Sequence, residues 1–181
     1  MTMKKFLFIG CLFLSLFQSY AQGIKLTNAL IIGQFDKQED RFAIEVNVTD
    51  LFTSLGIKAI PSINILKQGA DPLILASDTM INALKLKGID TYVLIYVKGY
   101  DRKFKGSNSE LLLEEGLKQS SIYSLFKDDI TSITFEFSVF KGGKRVYANV
   151  FKVGNISNRD DVIKRFRKKA PKFILTNFVS K

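Results

Sequence analysis

Two aspartates lie at positions where a metal-binding or catalytic site could form. Asp36 and Asp101 each follow the carboxyl end of a predicted β-strand. If the two strands are neighbours, both carboxylates lie at the edge where open α/β sheets bind ligands. Such a pair could hold a hard cation, or divide the roles of general acid and general base. The alternative is that both are turn-forming loop residues, so we predict no metal site and no cofactor, and keep these two as the candidates.

Most other catalytic groups are missing from the sequence. Its 181 residues include no histidine and one cysteine, Cys11. Ser-His-Asp triads, histidine metal sites and imidazole acid-base catalysis are therefore excluded. Once a leader containing Cys11 is removed, thiol nucleophiles and zinc-thiolate sites are excluded as well. Ser124 and Lys127 fit the S-x-x-K pattern of penicillin-recognising enzymes, but the other motifs of those enzymes come in the wrong order here. We therefore predict no catalytic residue and interpret the protein as a non-enzyme.

The chain is basic, with 27 basic and 17 acidic residues and a net charge of +10. A basic protein attracts nucleic acid, anionic lipid headgroups and acidic polysaccharides. The densest basic cluster lies on a predicted C-terminal helix and consists of Lys164, Arg165, Arg167, Lys168 and Lys169. We expect these side chains to lie partly or wholly in solvent, because the apolar stripe of the helix, Val162, Ile163, Phe166 and Ala170, should pack on a sheet. They form either a face that keeps the protein soluble or a docking stripe for an anionic surface or acidic partner.

Strands and helices alternate in the first half of the chain. Short apolar runs predict strands at 29–33, 59–66 and 91–97. Apolar residues at three- and four-residue spacing predict helices at 41–55 and 78–87, the second capped by Ser77 or Asp78. Gly56 and Gly88 follow these helices, where a left-handed cap would lie. Pro61 favours an early or edge position for the second strand. Residues 98–127 are predicted as a long connection with one helical turn near 110–116.

A hairpin and a helix are predicted next. Residues 130–140 alternate in polarity, the pattern of a strand with one exposed face: Ile133, Phe135, Phe137 and Val139 on one side, and Thr134, Glu136 and Ser138 on the other. Gly142 and Gly143 supply the positive-φ positions of a two-residue turn. This turn sets Val139 opposite Val146, Phe137 opposite Ala148 and Phe135 opposite Val150. The C-terminal helix is capped by Ser157 or Asn158. The order β-α-β-α-β, then hairpin and helix, predicts a single α/β (mixed α+β) domain over 22–181, with a mixed sheet in two or three layers.

Residues 1–21 have the features of a secretory signal peptide. Lys4 and Lys5 precede an apolar run over 6–17, and Ser19-Tyr20-Ala21 offers small residues at the cleavage positions. The run is shorter than the about 20 residues that span a membrane, so we predict no transmembrane segment. Cys11 only partly matches a lipobox, because the apolar run continues beyond it. We expect an exported protein, periplasmic or extracellular, with a lipoprotein anchored at Cys11 as the alternative.

A short motif carries a resemblance to known envelope proteins. Gly56, Ile57, Ala59 and Ser62 match the pattern G-[IV]-x-A-x-x-S, between the segments ALIIGQF and TYVLIYVKGY. Over residues 25–105 the chain resembles the small envelope α/β domains of the curli-assembly and penicillin-binding-protein-activator lipoproteins. The resemblance implies an α/β fold in the bacterial envelope. The chain departs from these proteins in having no clear lipobox, which leaves tethering and partners open.

Three functional hypotheses follow. The first is a non-catalytic binding or assembly module of a bacterial cell envelope, with an envelope protein or anionic surface as its partner. The second is a small metal-assisted hydrolase built on Asp36 and Asp101. The third is a protein that binds anionic lipid or polysaccharide through the basic C-terminal helix. Export argues against nucleic acid as a partner, and the sequence sets no oligomeric state.

The leader generates the first testable prediction. Mass spectrometry of the natively produced protein should find a chain that begins at Gln22 and carries no acyl group, because all three regions of a signal peptide precede that residue. A diacylglyceryl mass on Cys11 would contradict this prediction and identify a lipoprotein.

Overall fold

The computed structural model describes residues 23–67, 69–119 and 122–179. The predicted signal peptide, with Cys11, lies outside these residues. The strands are β1 (Asn28–Gln34), β2 (Lys58–Pro61), β3 (Thr91–Tyr100), β4 (Ser132–Lys141) and β5 (Lys144–Gly154). The α-helices are α1 (Gln38–Ser54), α2 (Asp78–Leu86), α3 (Leu113–Lys118) and α4 (Arg159–Ile174). Two 3₁₀ turns, Ser62–Asn64 and Pro72–Ala76, lie between β2 and α2, and a π-helical turn, Leu175–Val179, follows α4.

All five strands form one mixed sheet in the order β2-β1-β3-β4-β5. β1 is parallel to β2 and β3, whereas β4 is antiparallel to β3 and β5. Helices α1 and α4 pack on one face of the sheet, and α2, α3 and the 3₁₀ turn Pro72–Ala76 pack on the other. The predicted α/β class with a mixed sheet is therefore confirmed, and the structure has three layers. No helix within the described residues is long and apolar enough to cross a membrane.

The core beneath α4 is built from aromatic rings. Phe166 of α4 lies between the two hairpin strands, with its ring 5.1 Å from that of Phe135 and 5.3 Å from that of Phe151. Both pairs meet at nearly right angles, the edge-to-face arrangement that aromatic quadrupoles favour. Phe178 of the π-helical turn packs against Phe137 at 6.1 Å. The basic helix is therefore held to the sheet by large, fully buried side chains.

The helix ends follow local sequence signals. Ser77 caps α2, since its hydroxyl accepts a hydrogen bond from the Met80 amide at 3.4 Å. Asn158 caps α4 by accepting from the Asp161 amide at 2.8 Å. Gly56 and Gly88 have φ values of +81° and +75°, as the sequence predicts for residues that follow helices. These predictions are confirmed, although α1 begins at Gln38 rather than Arg41.

The predicted second strand is too long. It ends at Pro61 rather than continuing to Leu66, and a 3₁₀ turn follows. The chain turns there because Ser62 and the Ile63 amide both donate hydrogen bonds to the carboxylate of Glu45, at 2.8 and 2.9 Å. Pro61 does lie on an edge strand, as predicted, but at its end.

The prediction that β4 has one exposed face is wrong. Every residue from Ser132 to Phe140 is buried, including the polar ones. The segment that follows β3 accounts for this burial, since Ser107 donates a hydrogen bond to Glu136 of β4 at 2.8 Å. Phe104 of the same segment packs so closely on Gly99 that a Cβ there would lie 2.4 Å from its ring. Part of the predicted connection is therefore a cover for the sheet.

The predicted hairpin register is wrong by one residue. The turn itself is confirmed, with φ values of +59° at Gly142 and +77° at Gly143. A β-bulge at Val146 then shifts the pairing, so that Val139 lies opposite Tyr147 and Phe135 opposite Phe151. The shift leaves Val146 49% exposed and puts Phe151 into the core.

The two ends of the described chain lie together. The Ile24 amide donates a hydrogen bond to the Asn177 carbonyl at 2.8 Å, and the Leu26 amide donates to the Phe178 carbonyl at 2.9 Å. A Cβ at Gly23 would lie 2.7 Å from the Asn177 carbonyl oxygen. The segment that precedes β1 is therefore fixed against the turn that follows α4.

Replacing Phe166 by alanine should lower the free energy of unfolding by about 3–5 kcal/mol, because the substitution leaves a cavity among buried rings. Phe42→Ala is the matched control, since Phe42 is 57% exposed and its loss should cost less than about 0.5 kcal/mol. Chemical denaturation of both variants measures the difference. Equal losses would contradict the assigned core.

Candidate functional site

Asp101 has a structural role at the end of β3. One oxygen, Oδ1, accepts hydrogen bonds from the Thr131 amide at 3.0 Å, the Thr131 hydroxyl at 2.8 Å and the Ser132 amide at 2.7 Å. The hydrogen bond from the Thr131 hydroxyl is the largest cause that lowers the pKa of Asp101, and the two amides add to it. This carboxylate joins the end of β3 to the start of β4.

Asp36 lies on the surface beyond the end of β1. It lines a hollow of about 170 Å³ together with Arg41 and Gln119, and Asp101 is not among the residues that line it. Within residues 23–67, 69–119 and 122–179, no group of three histidine, cysteine or acidic residues is placed to hold a metal ion. The structure thus gives Asp101 another role and shows no site that the two aspartates share.

A buried carboxylate that the sequence analysis missed lies on α1. Glu45 is fully buried, and its Oε1 accepts hydrogen bonds from the Gly33 amide at 2.9 Å and Arg41 Nε at 2.8 Å. The turn after β2 adds the Ser62 hydroxyl at 2.8 Å and the Ile63 amide at 2.9 Å. Four donors therefore surround this carboxylate and join β1, α1 and the turn after β2.

A second buried carboxylate, Glu136, lies in the middle of β4. Its Oε1 accepts hydrogen bonds from the Tyr96 hydroxyl at 2.5 Å and the Ser138 hydroxyl at 3.1 Å. Its Oε2 accepts from Lys98 Nζ at 2.5 Å and the Ser107 hydroxyl at 2.8 Å. Both oxygens therefore have two donors, as a buried charge requires.

Two cations offset the charge of Glu136. Lys98 makes the direct ion pair, and Arg145 of β5, whose side chain is 5% exposed, lies with Nη1 3.7 Å from Oε1. Burial alone would raise the pKa of Glu136, but hydrogen bonds from Lys98, Tyr96 and Ser107 outweigh it and hold the pKa below its usual value. Burial and the adjacent carboxylate raise the pKa of the Tyr96 hydroxyl. Glu136 is therefore ionised at neutral pH and not poised to exchange a proton.

Sequence reasoning missed Glu136 because its partners lie elsewhere in the chain. Its place in an alternating strand is typical of a solvent-facing residue. Lys98 and Ser107 come from β3 and the segment after it, and Arg145 comes across the hairpin. A carboxylate with basic residues nearby on both neighbouring strands would have been the available signal, but only with strand order and register known.

The predicted basic residues do lie on α4. Lys164, Arg167, Lys168 and Lys169 are exposed, and Arg165 is half-buried, with its Nε buried and lacking a hydrogen-bond partner. In the described part of the chain, none of the five forms an ion pair within hydrogen-bonding or salt-bridge distance. The helix carries seven basic and two acidic side chains, a net charge of +5. It presents a cationic face to solvent.

A groove runs between this face and α1. It has a volume of about 430 Å³ and is lined by Ala43 of α1 and by five residues of α4: Arg159, Asp160, Ile163, Lys164 and Arg167. Arg159 Nε donates to the nearly buried Asp40 of α1 at 2.5 Å, which fixes the spacing of the two helices. Neither the role of Arg159 nor the groove could be predicted from the sequence, because both depend on how α1 and α4 are packed.

Comparison with known proteins gives a likeness in structure and none in sequence. No protein-family description matches the chain, and no curated protein matches it. The PelC dodecamer from Paraburkholderia phytofirmans is similar at 10% identity and a TM-score of 0.44, over 88% of this chain and 90% of that one. Lipoprotein GNA1162 from Neisseria meningitidis is similar at 11% identity and a TM-score of 0.39, over 81% and 97%. At such values the likeness carries no functional argument, and the family resemblance drawn from the sequence is not confirmed.

Glu136→Gln should destabilise the protein by about 3 kcal/mol, because it leaves the buried guanidinium of Arg145 and the half-buried ammonium of Lys98 beside an uncharged group. The variant should also lose less stability than the parent protein when the pH is lowered. The pKa of Glu136 is lower in the folded chain than its ordinary value of 4.5, so the carboxylate stabilises the fold above that value. This contribution is lost as the pH falls from 4.5 through the folded pKa.

Denaturation curves between pH 7 and pH 3 measure both effects. Glu114→Gln is the matched control, because Glu114 forms an exposed ion pair with Lys118, and such pairs contribute at most about 1 kcal/mol. If the Glu136 variant kept the stability and the acid dependence of the parent, the assigned network would be wrong.

Proposed function

We propose that this protein is an exported, non-catalytic binding module of the bacterial cell envelope that docks an anionic surface or acidic partner through α4. The observation that carries the proposal is the cationic face of that helix. Four exposed basic side chains have no ion-pair partner in the described part of the chain, on a helix fixed by buried aromatic rings. Unpaired charges on a helix whose position is fixed are suited to a partner of opposite sign.

The state of the carboxylates supports a non-catalytic role. Glu45 and Glu136 are each enclosed by four hydrogen-bond donors, and Asp101 is used to join two strands. A general acid or base at neutral pH needs a pKa near 7, whereas the pKa values of Glu136 and Asp101 lie below their ordinary values. Among the described residues, no contact favours the alternative of a hydrolase built on Asp36 and Asp101.

The construction of α4 supports a docking role for its outer face. Val162, Phe166 and Ala170 are buried on one side, so the helix cannot turn its charges inward. Each basic residue near an anionic surface contributes on the order of 1 kcal/mol, and salt screens this attraction. Several such residues together give binding that is firm at low ionic strength and weak at high ionic strength.

Changing Lys164, Arg167 and Lys168 together to glutamate should weaken low-salt binding to envelope extract or anionic vesicles by at least about 100-fold, from about 1 kcal/mol for each residue. The three side chains are exposed, so the melting temperature should change little. Co-sedimentation across a salt series measures binding, and calorimetry measures stability.

The matched control is the triple change of Lys67, Lys85 and Lys87 to glutamate. It alters the net charge equally, but on the opposite layer of the fold, where these exposed lysines lie near α2. Binding should survive in this variant. If the parent protein showed no salt-sensitive binding to either target, the proposed docking role would be wrong.

A further inference from the structure

The groove between α1 and α4 combines apolar and cationic side chains. Ala43 and Ile163 contribute apolar surface, and Arg159, Lys164 and Arg167 contribute positive charge. One acidic side chain, Asp160, also lines the groove, and its Oδ1 lies 3.7 Å from Arg159 Nη1. Arg159 is also paired with Asp40, so the positive charge that the groove offers to a partner comes from Lys164 and Arg167.

The outer surface of α1 extends the apolar part of this region. Phe42 precedes Ala43 and is 57% exposed, and Val46, one turn later, is half-buried. A surface helix normally keeps such residues on its buried side, which in α1 is already occupied by Ile44, Val48 and Phe52. α1 therefore has apolar residues on both sides, and the helix itself packs beside α4, to which Asp40 and Arg159 join it.

We propose that Phe42, Ala43, Ile163, Lys164 and Arg167 form a docking face for a bilayer that contains anionic phospholipid. This inference rests on the proposed function of α4 and names its partner. The cations contact lipid phosphates, and the Phe42 ring inserts at the boundary between headgroups and acyl chains. Binding of this kind needs both apolar insertion and electrostatic attraction, and the two occur here side by side.

The shape of the face favours a bilayer over an acidic protein. The exposed cations are carried on long side chains without fixed hydrogen bonds, so they can follow mobile headgroups. The aromatic side chain projects outward, as insertion requires, whereas a protein partner would need a pocket to receive it. Exposed Glu39 lies one turn before Phe42 and opposes binding, but the net charge of +5 on α4 outweighs it.

One other surface combines the same elements. Leu86 at the end of α2 is 91% exposed and stands between the exposed Lys85 and Lys87. Nearby Lys58 is engaged, because its Nζ donates to the Lys87 carbonyl. This patch has fewer cations than α4, so we assign docking to the face between α1 and α4.

The absence of tryptophan from the sequence makes the test direct. Phe42→Trp introduces a single fluorophore at the proposed point of insertion. With vesicles of phosphatidylglycerol and phosphatidylcholine, its emission should shift to the blue and be quenched by brominated acyl chains. With phosphatidylcholine alone, neither change should occur. Adding the triple change of Lys164, Arg167 and Lys168 to glutamate should abolish both.

Two further tryptophan variants are controls. Ile122→Trp probes a residue that is 84% exposed near the end of β3, and it should show no shift. Leu86→Trp tests the rival patch, and a shift there without one at Phe42 would overturn the proposal. Phe42→Ser should keep its fold and lose at least tenfold in vesicle affinity; unchanged affinity would also overturn it.

The outcomes separate this inference from the proposed function. If the parent protein binds anionic vesicles in a salt-sensitive manner while Phe42→Trp shows no shift, insertion is wrong and anionic docking stands. If the protein binds an acidic component of envelope extract but no vesicle, the bilayer is the wrong partner. If it binds neither, both proposals fail.

Discussion

Two buried carboxylates determine how the connecting segments of this fold are arranged. An uncompensated charge in a protein interior costs several kcal/mol, so each must be surrounded by donors. Glu45 collects its donors from the end of β1 and the turn after β2, which ends that strand at Pro61. Glu136 collects Lys98 and Ser107, which holds the segment after β3 over the sheet. The network of Glu45 lies on the face of the sheet that α1 covers, and the network of Glu136 lies on the other face. Each network fixes a connecting segment on its own face of the sheet.

How far a feature could be predicted from the sequence depends on whether neighbouring or distant residues produce it. Periodicity and caps depend on neighbouring residues, so the helices and most strands were predictable from local patterns. The burial of Glu136 depends on residues from two other strands and a loop, and no local pattern reports them. The bulge at Val146 likewise had no signal in the alternation of β5, and it moved the register by one residue. The basic residues of α4 were predictable, whereas the groove beside them required the packing of two distant helices.

The two faces of helix α4 have different roles. Its inner face, centred on Phe166, completes the aromatic core, and its outer face carries charge. Because the inner face is packed in the core, the backbone positions from which the charged side chains extend are fixed before any partner arrives. The ion pair between Asp40 and Arg159 extends this rigidity to α1. A partner that bound both helices would therefore find them already in position, and would lose little entropy in ordering them.

The pairing of the segment before β1 with the turn after α4 has a consequence for folding. Ile24 and Leu26 bond to Asn177 and Phe178, so the first and last segments of the fold depend on each other. Until the turn that holds Phe178 has packed on the sheet, Phe137 and Phe52 each lack one ring contact. Contacts so distant in sequence form late and slowly. We therefore expect the packing of this turn on the sheet and on the segment before β1 to be among the last steps of folding.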